Sequence, residues 1–156
     1  MKKLLLICAV AILGCTTTLR AQNDPMWKEF IEAINTMNGS ETEAVEQQLA
    51  AMGLKTRFTV SYDSVRNEVL MVFELFSQEI FDAMDMQVLK ATQATSTVAS
   101  WKQEGVLTES LDMLEKHDCN FRVIVKYVDK WNKIKLKESV ITPEEFRKAA
   151  KNAGLL

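Results

Sequence analysis

The stretch RFTVSYDSVRNEVLMVFELF, residues 57–76, decides the fold predicted from this sequence. Two runs rich in β-branched and aromatic residues flank a short polar segment, a pattern that predicts a β-hairpin. In the first run Phe58, Val60 and Tyr62 alternate with polar residues and therefore share one face of the strand. The second run, residues 69–76, is apolar at almost every position. A strand that is apolar on both sides is expected to be covered on both.

A second stretch of the same character lies 65 residues further along the chain. Laying residues 54–83 over residues 119–148 without a gap gives six identities in 30 positions. Ser77 and Thr142, at equivalent places, each precede a predicted helix and are suitable N-caps. The match indicates an internal duplication, although two strand–strand–helix units with similar requirements could converge on part of it. The identical pairs are Arg57–Arg122, Val60–Val125, Tyr62–Tyr127, Asn67–Asn132, Glu79–Glu144 and Phe81–Phe146.

Helical patterns with start and stop signals surround both hairpins. One long helix is predicted from Ser77 to Gly105, with Val88 on its apolar stripe. We therefore expect an α+β fold of two tandem helix–hairpin–helix units with a period of 65. Their hairpins would form a four-stranded antiparallel sheet with helices on one face. The predicted helix starts lie near Asp24, Ser40, Ser77, Thr108 and Thr142.

The first 21 residues have the layout of a secretory signal peptide. Lys2 and Lys3 precede an apolar run over residues 4–13, and the small residue Ala21 follows a polar stretch. The run is shorter than the roughly 20 residues that a membrane-spanning helix requires. Cleavage after Ala21 would leave residues 22–156 as one domain, exported to the periplasm or the extracellular space.

An alternative interpretation of the same segment is a lipobox, residues 12–15. In this case Cys15 would be lipidated and would tether the domain to a bilayer through acyl chains. Cleavage after Ala21 leaves Cys119 as the one cysteine of the soluble form, whereas the lipidated form would also keep Cys15. No disulfide within the soluble form is therefore possible, and stability must come from packing.

Charge is unevenly distributed along the chain. The whole sequence has a net charge of −2, yet residues 119–156 contain nine basic and four acidic side chains. One explanation is attraction between the acidic and basic parts within the fold. The other is a basic surface for an acidic partner such as lipid head groups.

The outer face of the predicted sheet is the first candidate binding site. An apolar strip of Leu70, Val72, Phe76 and Ile124, edged by basic residues, predicts a contact surface. Partial cover by the N-terminal helices or by lysine stems is the alternative. The basic residues predicted to edge the strip are Arg122, Lys126, Lys135 and Lys137. The residues predicted for the inner face are Phe58, Val60, Tyr62, Val69, Met71, Phe73, Leu75, Val123, Val125, Tyr127, Ile134, Leu136 and Val140.

Trp131 is the second candidate, because it lies in the second hairpin turn among several lysines. An aromatic side chain that protrudes from a basic turn can anchor to lipid head groups or to an acidic partner. A tryptophan folded back over its own strands is the alternative.

Catalytic chemistry has little support in this sequence. His117 and Cys119 are too few for a metal site, which usually needs three or four ligands. Glu79 and Glu144 lie in first turns of predicted helices, where the helix dipole alone favours an acid. The mature chain has no glycine-rich phosphate loop and no Ser-His-Asp arrangement. We therefore predict neither enzymatic activity nor a metal or cofactor.

The function predicted from sequence is non-catalytic binding in the bacterial cell envelope. The open sheet face and the basic second hairpin would contact a protein or a second copy of the chain. A lipid or membrane surface is the alternative partner. Nucleic acid is not expected, because the chain is predicted to be exported. The alternative is a periplasmic carrier or sensor of a hydrophobic ligand. That ligand would lie between the sheet and the long helix, where flexible methionines could line a site.

Overall fold

The computed structural model describes residues 24–37 and 39–156. The predicted signal peptide and Cys15 lie outside the described residues. Within them the α+β prediction is confirmed: four strands form a mixed sheet, and six helices accompany it. The elements are α1 (Pro25–Thr36), α2 (Ser40–Ala51), β1 (Thr56–Asp63), β2 (Glu68–Leu75), α3 (Gln78–Ala83), α4 (Met86–Gln103), α5 (Leu107–His117), β3 (Asn120–Val128), β4 (Ile134–Ile141) and α6 (Pro143–Asn152).

The four strands lie in the order β1-β2-β3-β4. Both hairpins are antiparallel as predicted, but β2 and β3 pair in parallel, with Glu68 opposite Asn120 and Leu75 opposite Tyr127. The prediction of a wholly antiparallel sheet is therefore wrong. The segment between β2 and β3 carries three helices, enough chain to return to the end of the sheet where β2 began. Such a crossover is what a parallel pair requires.

The long helix predicted from Ser77 is in fact two helices. The Ser77 hydroxyl accepts a hydrogen bond from the Ile80 amide and caps α3, as expected. The chain then becomes extended at Met84, and the Asp85 carboxylate accepts from the Gln87 amide at 2.9 Å to begin α4. Aspartate competes with the helical backbone in this way at an N-cap. The break changes the buried face of α4, and Val88, predicted on the apolar stripe, is 52% exposed.

The two hairpin turns differ in length by one residue. Four residues separate the closing pair Asp63–Glu68 of the first hairpin, and five separate the closing pair Val128–Ile134 of the second. A gapless overlay of the hairpins assumes equal turns, and it therefore misaligns β4 against β2 by one position. A one-residue slip moves every side chain of a strand to the other face. The order strand–turn–strand–helix does occur twice, whereas duplication as its origin stays a prediction.

The consequence is that β4 has the opposite orientation from the one predicted. Lys137 pairs with Val125, whose side chain is buried, so the odd-numbered residues of β4 lie on the covered face. Ile134 and Leu136 face outward and are 62% and 59% exposed. The prediction of the inner face is therefore wrong at Ile134, Leu136 and Val140, and that of the outer face is wrong at Lys135, Lys137 and Ser139.

The core lies between the sheet and the helices. Phe121 of β3 and Phe146 of α6 are fully buried, with ring centroids 5.0 Å apart in an edge-to-face arrangement. Trp101 of α4 lies 5.4 Å from the Phe146 ring. Edge-to-face contacts of this kind add to the energy of burial. The three aromatic residues thus join α4, α6 and the centre of the sheet.

The outer edge of β1 is occupied by the N-terminal helices. The Phe58 amide donates to Glu46 of α2 at 2.8 Å, and the Tyr62 amide donates to Asn35 of α1 at 3.3 Å. Unpaired strand amides at a sheet edge invite pairing with another chain. These side chains satisfy amides of β1, so this edge is poorly suited to adding a further strand.

Asp24 attaches α1 to the end of α5. Instead of capping α1, as its position suggested, its carboxylate lies 2.6 Å from both the Lys116 ammonium and the His117 Nε2. The His117 ring also stacks on Trp27, with centroids 4.2 Å apart. The hydrogen bonds from Lys116 and His117 lower the pKa of Asp24 from 3.8 to about 2.

We expect the attachment of α1 to weaken as the pH falls from 3.8 to about 2. A carboxyl group whose pKa is lower in the folded chain contributes stability above its unfolded pKa, and the contribution is lost as the pH falls through its folded pKa. NMR titration of the Asp24 carboxyl carbon should give a midpoint near 2. Lys116→Met should raise that midpoint, because it removes the largest cause of the shift. A wild-type midpoint at the ordinary value would contradict this ion pair.

Candidate functional site

The candidate site is the face of the sheet that points away from the helices. The side chains at the centre of the covered face are buried under the helices, whereas those on the other face are exposed or half-buried, except for Glu68. We call the latter the open face. Its members are Arg57, Thr59 and Ser61 of β1; Glu68, Leu70, Val72 and Glu74 of β2; Arg122, Ile124, Lys126 and Val128 of β3; and Ile134, Leu136, Glu138 and Val140 of β4.

An apolar strip crosses the open face. Val72 of β2 lies directly beside Ile124 of β3 in the register of the sheet. Leu70 follows on β2. Glu138 lies directly opposite Ile124 on β4, and the apolar Val140 and Leu136 lie diagonally from Ile124 on either side of Glu138. The predicted positions of Leu70, Val72 and Ile124 on the outer face are thus confirmed, and β4 adds two apolar side chains that Glu138 separates. None of the three is among the side chains packed against the core of the described residues.

An ion network joins three strands across one end of this strip. The Arg122 guanidinium donates to both carboxylate oxygens of Glu68, at 2.7 and 2.9 Å, and to Glu138 at 3.2 Å. The Glu68 side chain is only 8% exposed. These partners raise the pKa of Arg122 above its already high ordinary value, chiefly through the hydrogen bonds that Arg122 donates to Glu68. Two-pronged contacts between arginine and a carboxylate are among the strongest of polar contacts.

The second charge pair of the face is Lys126 with Glu74. The two residues are opposite each other on β3 and β2, and their charged atoms are 3.5 Å apart. Together with the Arg122 network, this pair places an opposite charge beside each buried or half-buried charge at the centre of the face. The centre of the open face is therefore apolar and close to electrically neutral.

Lys135 and Lys137 do not edge the strip, contrary to prediction. Both lie on the covered face of β4. The Lys137 ammonium donates to the carbonyls of Phe81, Asp82 and Met84, at 2.8, 3.0 and 3.0 Å. These carbonyls end α3, where the last turn of a helix leaves acceptors unsatisfied and the dipole favours a cation. Lys137 is therefore a helix cap rather than a binding residue.

Phe76 and Trp131 are exposed at the same end of the sheet. Phe76 directly follows β2 and is 50% exposed, with the Lys55 ammonium 5.5 Å from its ring centroid. Trp131 lies in the β3–β4 turn and is 71% exposed. The Lys130 ammonium lies 5.1 Å from the Trp131 ring. Of the two alternatives for Trp131, the structure therefore favours the protruding side chain.

Asp129 organises the turn that carries Trp131. Its carboxylate accepts from the Trp131 amide at 2.8 Å and from the Lys133 amide at 2.9 Å. Asn132 has a φ of 59°, in the left-handed region that asparagine tolerates. Aspartate and asparagine are suited to such turns because their short side chains bond to nearby backbone. The turn is held in one shape, and Trp131 is presented at its tip.

Sequence reasoning missed four members of the open face on β4, namely Ile134, Leu136, Glu138 and Val140, and it missed Glu68 because the predicted strand began at residue 69. The available signal for β4 was the five-residue turn 129–133, because turn length sets the register of a hairpin. Alternation alone could not reveal it. The segment 133–137 reads Lys-Ile-Lys-Leu-Lys, and this pattern is compatible with either face being covered.

The space between sheet and helices contains an apolar cavity of about 10 Å³. It has room for about one water molecule. Met84 is the one methionine in its lining, and the carrier alternative draws no support from this cavity. That alternative stays a prediction. The lining residues are Leu49, Thr56, Phe73, Leu75, Met84, Leu89 and Val125.

The residues first considered for chemistry have structural surroundings. Cys119 is fully buried, and burial raises the pKa of its thiol to about 12. His117 is engaged with Asp24 and Trp27. In residues 24–37 and 39–156, no three His, Cys, Asp or Glu side chains are grouped as metal ligands would be. Within the same residues no helix has the length and apolar character to cross a membrane.

Comparison with known proteins identifies no relative. No protein-family model matches the chain, and no curated protein or solved structure is significantly similar to it. The function must therefore be argued from the site itself.

Proposed function

We propose that this chain is an exported, non-catalytic interaction module of the bacterial cell envelope. Its open face and the β3–β4 hairpin would be the contact surface. The observation that carries the proposal is the apolar strip of Leu70, Val72 and Ile124, which no described element covers. Contiguous apolar surface of this kind is uncommon on proteins that have no partner. Export is inferred from the layout of residues 1–21.

A second copy of the chain is a suitable occupant of the open face. Two sheets pack face to face through apolar side chains from both, as in a β-sandwich. The neutralised charges of the face would not repel those of an identical face. A two-fold dimer brings the same patch together from both subunits, so one apolar strip would meet another. The alternative mode, strand addition at β1, is opposed by the side chains bonded to its amides.

Val72→Lys tests the open face because it places a charge at the centre of the strip. We expect the average molar mass of the wild-type protein in solution, measured by sedimentation velocity, to rise as its concentration is increased about a hundredfold. Val72→Lys should remain a monomer, with an unchanged far-ultraviolet circular dichroism spectrum.

Thr95→Lys is the matched control. Thr95 is exposed on α4, a helix that packs against the covered face of the sheet. It adds the same charge away from the open face, and association should be retained. A wild-type chain that stays monomeric throughout would contradict self-association. Equal weakening by both substitutions would contradict the strip as its site.

A further inference from the structure

Exposed apolar side chains are concentrated at one corner of the sheet. Of the seven large apolar side chains most exposed among the described residues, Trp131, Ile134 and Leu136 lie on the β3–β4 hairpin. Phe76 is a fourth, because it follows Leu75, which lies opposite Tyr127 of β3. We call these four residues the hairpin corner.

Lysines without acidic partners surround the hairpin corner. Among the described residues, Lys130, Lys133 and Lys135 form no ion pair. The carboxylate nearest in sequence, Asp129, accepts backbone amides of the turn instead. Glu79 and Asp82 of α3 lie on the same covered side of the sheet as Lys135, but neither forms an ion pair with it. Residues 129–135, with three lysines and one aspartate, therefore combine a protruding apolar tip with a net charge of +2.

The opposite end of the sheet lacks this combination. The β1–β2 turn also exposes an apolar side chain, Val65, which is 94% exposed. Its flanking charges are Asp63, Arg66 and Glu68, so no excess of positive charge accompanies it. This turn therefore provides an internal comparison: exposed apolar surface without a basic surround.

Resting on the proposed function, we infer that the hairpin corner docks on the surface of an anionic lipid bilayer. Trp131 would enter the head-group layer, where amphipathic aromatic rings are favoured. Ile134 and Leu136 would follow it toward the acyl boundary. The three lysines would contact the negatively charged head groups, each strengthening the attraction. Lysine stems can lie along apolar surface while their ammonium groups remain in water.

The shape of the corner favours a bilayer over a protein partner. A stable protein interface buries about 800 Å² on each side, and the four side chains of the hairpin corner are too few to supply that area. A bilayer surface can receive a narrow protrusion, because lipids move aside to accommodate it. The neutral open face suits a protein surface, whereas the basic corner suits an anionic one.

Vesicle binding tests this inference directly. The protein is purified in its processed form, with the N-terminus identified by intact mass, and mixed with phosphatidylcholine vesicles with or without phosphatidylglycerol. We expect sedimentation with the anionic vesicles and release by added salt. Tryptophan emission should shift to the blue on binding, and Trp131→Phe should remove most of that shift, because Trp27 and Trp101 are packed in the fold.

Substitutions at the corner should weaken binding by predictable factors. Changing Lys130, Lys133 and Lys135 together to Gln should lower affinity by about fivefold per lysine. Trp131→Ala should lower it by about tenfold.

Two matched variants control for charge and for exposed apolar surface. Changing Lys28, Lys148 and Lys151 to Gln removes the same charge from α1 and α6, and Val65→Ala shortens the apolar tip at the other end of the sheet. Both should bind like wild type.

The possible outcomes separate this inference from the proposed function. Absence of binding to anionic vesicles would overturn the inference, and so would equal losses in corner and control variants. Absence of vesicle binding with concentration-dependent mass that Val72→Lys removes would overturn the bilayer inference while supporting the open face as a protein contact. Failure of both assays would overturn both.

Discussion

Phe146→Ala should lower the free energy of unfolding by about 4 kcal/mol. Phe146 is fully buried, and its ring contacts Phe121 and Trp101 at centroid distances of 5.0 and 5.4 Å. Truncation removes apolar contact and leaves a cavity where α6 meets the sheet and α4. Urea denaturation followed by circular dichroism measures the change, and the slope of unfolding against urea should remain the same.

Phe76→Ala makes the same chemical change at an exposed position. Phe76 is 50% exposed and is not part of the core cluster. We expect a loss below about 1 kcal/mol. Equal losses for the two phenylalanines would contradict the position of α6 over the core.

Arg122→Met should lower the free energy of unfolding by about 3 kcal/mol. The substitution keeps much of the side-chain volume but leaves Glu68, 8% exposed, without its two-pronged partner. An uncompensated charge at a poorly solvated position is costly, and water can relieve only part of that cost. Chemical denaturation at neutral pH measures the loss.

Two further variants separate the ion network from general effects of charge removal. Glu68→Leu together with Arg122→Met should recover most of the loss, because removing both partners leaves no buried charge. Lys126→Met breaks the more exposed pair with Glu74 and should cost less than about 1 kcal/mol. A double variant as unstable as Arg122→Met alone would contradict this account.

The local features of the fold were predictable because neighbouring residues determine them. Alternation at Phe58, Val60 and Tyr62 predicted β1. Ser77 and Thr142 were predicted as N-caps, and α3 and α6 begin directly after them. Hairpins and caps depend on residues within a few positions of one another. The same is true of the central strip, because the β1–β2 hairpin places Val72 opposite Thr59, on the polar face of β1, in either sheet arrangement.

The candidate site was only partly predictable because it depends on register. Leu70, Val72, Arg122, Ile124 and Lys126 lie on the open face as expected. Lys135 and Lys137 do not, since one additional residue in the β3–β4 turn reverses the faces of β4. The length of the β3–β4 turn, rather than the residue types of β4, thus determines which β4 side chains belong to the open face.

The sequence by itself determined the α+β composition, the two hairpins and the apolar character of the strip, because each is encoded in contiguous residues. The tertiary structure decided the parallel pairing of β2 with β3, since a three-helix connection can return the chain to either end of the sheet. It also decided that Lys137 caps α3 and that Asp24 pairs with Lys116 instead of capping α1. These partners are distant in sequence, and a charged side chain takes whichever complementary group the folded chain brings within reach.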